Sequence, residues 1–308
     1  MKKLGSVLVL ALCVAASSWS ASAHAVAFGD ATAKDRATLQ AQVASTRAAS
    51  PKSFAQLRAL RTQLPELDQK KRGRVVVIVP SLVALGVDGL LPMLDALMLT
   101  ADAHHDLSDQ AFATWRAGLV EAVGRLRDER ALPHLKSILG SGSHESATTR
   151  VAAGRAIGQL RSETAISALT SAASDANARE AAVVGLGEAR RVIATAYLAS
   201  VLEGERQDTP LLRASLKALG QAGSSWAWDT LGGATTGEGD QVRQLAAKAL
   251  LEAWMRLAGE AREEAVVAMS MTEYRELPTM IAALKGNKGA DVEAISRLHA
   301  RVQRLKLR

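Results

Sequence analysis

Small and apolar residues recur along this chain at fixed distances from a glycine. "LVALG" ends at Gly86, "VEAVG" at Gly124, "GRAIG" at Gly158, "VVGLG" at Gly187 and "LKALG" at Gly220. The intervals are 38, 34, 29 and 33 residues, and a further unit, "AKALL", puts Leu251 at the anchor place after 31 more. Leu85, Val123, Ile157, Leu186 and Leu219 precede the glycines, and a small residue precedes each of those (Ala84, Ala122, Ala156, Gly185, Ala218). Seven residues after the anchor stand Ala131, Ala165, Ala194 and Ala227, and eleven after it Leu135, Leu169, Leu198 and Leu231. Four residues after it stand Asp128, Ser162 and Ser224. Their short polar side chains accept from the free N–H groups of a first helical turn, so a new helix is expected to start there. Arg191 holds that place in the fourth copy and weakens the cap. Each period thus predicts two short helices, one ending soon after the glycine and one starting at the cap.

Periods of roughly 30 to 40 residues with two helices each describe an all-α fold, an α-α superhelix or α-solenoid. One short helix pair cannot bury its apolar face alone, so neighbouring pairs stack, and Ala or Gly at the crossings lets backbones approach closely. In detail the chain resembles HEAT repeats. The resemblance is to the short HEAT-like variety found in phycobilisome lyases and many bacterial proteins, with the theme "VRxxAxxALGxLxDxxAxxxL". "AREAAVVGLGEAR" (Ala178 to Arg190) and "TRVAAGRAIGQLRSETAISAL" (Thr149 to Leu169) carry it, and "LLPML" and "ALPHL" resemble the proline-bearing first helix of such a repeat. It covers residues 68 to 258 and implies a HEAT-like α-solenoid of about six repeats that serves as a binding scaffold. Arginines eight residues before the anchor (Arg116, Arg150, Arg179, Arg243, with Arg213 at seven) resemble the rungs of an inter-repeat polar ladder, with Asp175 and Asp240 as expected partners for Arg179 and Arg243.

Outside the repeats, residues 24–67 read as an N-terminal helical cap: one helix from Lys34 to Ala48, a break at Ser50-Pro51, and a second helix ending before Pro65. Residues 259–308 read as a C-terminal cap whose last helix is basic. Val292, Ile295, Leu298, Val302 and Leu305 share one stripe there, with Arg297, Arg301, Arg304, Lys306 and Arg308 elsewhere. "RVVVIVPSLVALGVDGLLPMLDALML" is apolar enough to mimic a membrane span, but Asp88, Gly89 and Asp95 interrupt it and the repeat register runs through it.

The first 23 residues read as a secretory leader: Lys2 and Lys3, an apolar run from Leu4 to Ala16, then Ala21-Ser22-Ala23 as the cleavage pattern. Leu12 stands before Cys13 where a lipoprotein signal needs a small residue, so plain export to the periplasm or the exterior of a bacterial envelope is expected. Cleavage removes the only cysteine, and with Lys2 and Lys3 gone Lys+Arg falls from 38 to 36 against 31 acids, a net charge of +5. A mature chain without thiols suits an oxidising compartment. Composition agrees with close-packed helices, at 48% hydrophobic but only 3% aromatic.

Motifs of known chemistry are missing: no G-x-S-x-G, H-E-x-x-H, G-x-x-x-x-G-K-[ST] or G-x-G-x-x-G occurs. The expectation is therefore no enzyme, no cofactor, no metal and no catalytic residue. The loop Asp102, His104, His105, Asp106, Asp109 matches no defined metal site and reads as a solvated loop, as does His144 beside Glu145.

Function is expected where the repeat does not dictate the residue. Positions seven and three before the anchor and one after it form one row on the second helix of each unit. That row holds Glu121, Arg155, Val184, Lys217 and Lys248 in the middle, flanked by Glu180, Arg213, Gln244, Arg125, Gln159, Glu188, Gln221 and Glu252. Its cations Arg125, Arg155, Arg213, Lys217 and Lys248 are the candidate contacts for a protein or peptide partner on the concave side. Two other readings are an accessory lyase-like enzyme, implied only by the family resemblance, and a binder of anionic polymer or membrane surface through the basic last helix.

Overall fold

The computed structural model describes residues 33–70, 77–100, 106–141, 144–205, 209–230, 237–287 and 291–305. The leader, with Cys13, and the pair His104 and His105 lie outside the described residues. Among the described residues there is no strand, and no helix is long and apolar enough to cross a membrane. The apolar stretch before residue 100 is broken into α3 (Val79–Val83), a 3-10 turn at Val87–Gly89 and the nine-residue α4 (Leu90–Met98).

Helix pairs then follow one another: α5 (Asp109–Leu126), α6 (Leu132–Gly140), α7 (Ala147–Leu160), α8 (Glu163–Ala172), α9 (Arg179–Ala189), α10 (Val192–Gly204) and α11 (Pro210–Gly223). Local chemistry sets their ends. Ser108, Ser146 and Thr209 cap α5, α7 and α11 through their side-chain oxygens, and Ser162 caps α8 by accepting from the Ala165 N–H at 3.1 Å. Asp128 caps the 3-10 turn Glu129–Ala131 that leads into α6. Arg191 supplies no side-chain cap to α10. Glu238, 46 residues further on, replaces it by accepting from the Val192 N–H at 2.7 Å.

The anchor helices α5, α7, α9 and α11 stack directly on one another as one layer, while α6, α8 and α10 touch more sparsely in the other. Glycine explains the difference. A Cβ at Gly158 would run into the Gly185 carbonyl, one at Gly154 into the Ala181 carbonyl, and one at Gly124 would lie 2.5 Å from the Ala156 Cα. Tight spacing on one side and loose spacing on the other bends a stack toward the tight side, so the anchor layer is the inner curve. The residues before the anchor (Val123, Ile157, Leu186, Leu219) and those seven and eleven after it (Ala131, Ala165, Ala194, Leu135, Leu169, Leu198) are fully buried.

Two parts of the expected register move. Gly86 does not pack against a helix: it has φ +63° with nothing within 4 Å of its missing Cβ. It stands where Arg127, Arg161 and Arg190 stand in the next units, as the positive-φ residue after the helix end, three places after the anchor, though with an extended ψ of −159° where theirs are left-handed helical. Counting the first unit from Val83 instead puts Leu82, Leu90 and Leu94 on the buried positions and aligns Pro92 with Pro133. The first interval is therefore 41 residues rather than 38.

At the other end, the helix after α11 is only the six-residue α12 (Ser225–Thr230). The longer α13 (Gly239–Arg256) packs on α10, while α14 (Gly259–Thr272) takes the place beside α11. The Gly220 position meets the Ala268 Cα of α14, as Gly124 meets Ala156. Leu251 on α13 is thus not the sixth anchor. Ser270 is, with Met269 buried before it, Glu273 left-handed three places on, and Leu277 and Ile281 buried at seven and eleven. Those last two belong to α15 (Leu277–Ala283), so the register runs on past the expected end at residue 258.

The ends are covered by α1 (Ala33–Ala49) and α2 (Pro51–Lys70), which pack on α4, and by α16 (Val292–Leu305) against α14 and α15. α2 runs through Pro65, where an end was expected. Leu64 is buried to 2% exposure at that turn, and its burial holds the helix across the missing N–H. On α16, Ala294, Ile295, Leu298 and Val302 are buried, so this stripe faces the stack, while Val292 is exposed.

Candidate functional site: a groove across three anchor helices

An open groove of about 830 Å³ crosses α7, α9 and α11 on the inner layer. Its floor is small and apolar, from Val184, Ala214 and Ala218, because these positions lie next to the close helix crossings. Its rim is charged: Arg155 from α7, Glu180 and Glu188 from α9, and Arg213 and Lys217 from α11, with Gln221 at one end. Four-residue spacing on each helix and direct stacking of the helices bring these side chains into one surface.

The cations of this row differ in what they already hold. Arg213 reaches across to α14, donating to Glu264 at 3.1 Å and Glu260 at 3.0 Å, so it ties two anchor helices together. Arg155 and Lys217 are exposed and form no ion pair among the described residues. Arg125, beyond the groove on α5, pairs with Glu121 one turn earlier. Lys248 is outside the groove. It sits on α13, which belongs to the other layer, and faces Glu252 at 4.0 Å. With α13 packed on α10 and α14 beside α11, Lys248 left the row.

What replaces α13 in the row is α14, whose equivalent positions are Glu263, Val267 and Met271, the last two exposed. A signal for this lay in the sequence, since "AREEAVVAMS" (Ala261 to Ser270) matches "AREAAVVGLG" (Ala178 to Gly187) at six of ten places. The missing glycine hid it.

The repeat arginines are structural, though not all with the expected partners. Arg116 binds Glu145 of the next unit and the Leu97 carbonyl, and Arg150 donates to the Glu145 carbonyl at 2.6 Å. Arg243 pairs with Asp240 at 2.8 Å, as expected. Arg179 donates instead to the Ala173 carbonyl at 2.9 Å, while Asp175 accepts from the Asn177 N–H. Arg262, eight before Ser270, stacks 4.0 Å over Trp254. Among the described residues no group of acids and histidines is placed to hold a metal. Asp106 pairs with Arg61 at 2.9 Å, and Asp109 opens α5.

A family model described as HEAT repeats matches residues 105–185, the span from α5 into α9. These residues are HEAT repeats. No curated protein matches the chain. HEAT repeats are a fold of the protein-interaction scaffold kind, and the family of that model is generally non-enzymatic. The matched residues include Arg155 of the α7 wall and Glu180 and Val184 of the α9 wall, but not Glu188.

Proposed function

We propose that the chain is an exported, non-enzymatic scaffold that binds an acidic protein or peptide segment along the groove across α7, α9 and α11. One observation carries the reading: Arg155 and Lys217 stand exposed above an apolar floor with no ion pair among the described residues, while the structural arginines around them are engaged. A ligand carboxylate there gains charge-assisted bonds without breaking an existing pair, and its apolar side chains meet Val184, Ala214 and Ala218. The charges add attraction and salt sensitivity rather than most of the affinity. Export rests on the basic, apolar and Ala-x-Ala pattern of the first 23 residues. The mature chain is expected to begin near His24, and the intact mass of protein recovered from the envelope checks it.

The test uses a photo-crosslinking residue at Val184 to capture partners from envelope extract. The pair Arg155→Glu and Lys217→Glu should clearly reduce capture with the melting transition nearly unchanged, since substitutions away from packing move stability by no more than about 0.5 kcal/mol. Lys248→Glu, outside the groove, should leave capture intact. Equal capture by the double variant would remove the groove as the site.

A further inference from the structure

The positive-φ residue that ends each anchor helix is where a repeat favours glycine. Gly86 fills it in the first unit, but Arg127 (φ 54°), Arg161 (φ 62°) and Arg190 (φ 49°) fill it in the three units that follow. A cation suits the carbonyl end of a helix, which accounts for each arginine singly. It does not account for their assembly. Arg161 lies in the field of both Arg127 and Arg190, and Glu188 is the acid that opposes them. Burial first, and then those two cations, push Arg161 down to about 10; burial is also the main cause lowering Arg190. At about 10, Arg161 remains charged at neutral pH.

Their hydrogen-bonding capacity is underused. Arg190 is 6% exposed and touches Glu188 at 3.4 Å, yet its Nε is buried with no acceptor, and so is the Nε of Arg161. Arg127 and Arg161 form no ion pair among the described residues. The backbones cannot relieve the repulsion by drifting apart. Arg191 donates to the Arg161 carbonyl at 3.0 Å while Glu238 grips it from the other side at 3.0 and 3.1 Å, pinning the ends of α7 and α9 together. Arg127, Arg161 and Arg190 are thus held at one edge with Glu188 as the acid that opposes them, while Glu238 is taken up by Arg191.

We propose that Arg127, Arg161 and Arg190 form a binding site for a compact phosphate-type oxyanion at the shared C-terminal edge of α5, α7 and α9. The planar forks of guanidinium groups match the spacing of phosphate oxygens, and the burial of Arg190 and partial burial of Arg161 strengthen their contacts, while Arg127 stays exposed. The oxyanion supplies the acceptors that the buried Nε atoms lack and offsets the repulsion among the three charges. This site is separate from the groove, with Glu188 standing between the two.

Inorganic phosphate titrated into the full chain, at ionic strength held constant with chloride, should give saturable one-site heat and a rise in melting temperature that chloride does not reproduce. Arg127→Gln and Arg161→Gln keep the left-handed backbone and remove one charge, and each should weaken phosphate by at least about tenfold. Arg127→Gly relieves the backbone, so it should bind weakly while melting at or above the parent temperature, which separates lost binding from lost folding. Arg155→Glu with Lys217→Glu should bind phosphate as the parent does. Glycerol phosphate and vesicles containing phosphatidic acid separate a soluble ester from a lipid headgroup, and binding of either that fails in Arg161→Gln supports the site. Identical melting in phosphate and chloride, or undiminished phosphate binding by both Gln variants, would overturn it.

Discussion

Replacing Gly158 by alanine tests whether the anchor glycine is there for packing. In isolation the change favours the helix by about 0.8 to 1 kcal/mol, because alanine loses less backbone freedom. In this fold the added Cβ would run into the Gly185 carbonyl and come within 3.1 Å of the Glu188 Cβ. The obstacle is backbone, so no rotamer change can clear it, and α7 and α9 must separate. Separation also loosens the neighbouring close approach of Gly154 to Ala181. Overpacking of this kind costs about 1 to 3 kcal/mol, and a backbone obstacle places Gly158 at the upper end. The net expectation is a loss of about 2 kcal/mol. Gly204 is the control: it ends α10 with nothing within 4 Å of its missing Cβ, so Gly204→Ala should be neutral or stabilise by about 0.5 kcal/mol. Urea unfolding followed by far-ultraviolet circular dichroism reads both. A Gly158→Ala variant as stable as its Gly204→Ala counterpart would refute the close-crossing account of the inner layer.

Glu238→Ala should cost about 2 kcal/mol, since it removes both the bidentate hold on Arg191 and the acceptor for the Val192 N–H, and urea midpoints will show it. Gly86→Ala should destabilise by about 1 to 3 kcal/mol despite open space around it, because φ +63° with ψ −159° is a backbone region essentially only glycine adopts; the same denaturation series measures it. His134, 6% exposed on α6, has its pKa lowered below 6.5 by burial, which outweighs the nearby Asp35 charge. A depressed histidine takes up its proton more readily when unfolded. Its contribution is therefore intact above the unfolded value near 6.5 and declines as pH falls from there through the folded value. His134→Met, which copies the buried Met93 at the same register, should flatten the stability profile between pH 7 and 5 in thermal melts.

The repeat was legible because its causes are local or periodic. Ser162 caps a helix with its own side chain, and Ile157 and Leu169 are buried because every neighbouring unit offers the same face. The charged row was legible as far as the period held, so Arg155, Glu180, Glu188, Arg213 and Lys217 meet around one groove. Three things depended on tertiary structure. Gly86 and Gly158 both follow an apolar residue, but one supplies a positive-φ turn and the other a close helix crossing, and only the neighbouring backbone distinguishes them. Lys248 left the row because α13 packs against α10 and α14 takes the place beside α11. The cluster of Arg127, Arg161 and Arg190 forms because residues 34 and 29 apart in sequence become neighbours when stacking superimposes the helix ends. Sequence periodicity determines which residues are equivalent; the stacking of helices decides which of those equivalents come close enough to act together.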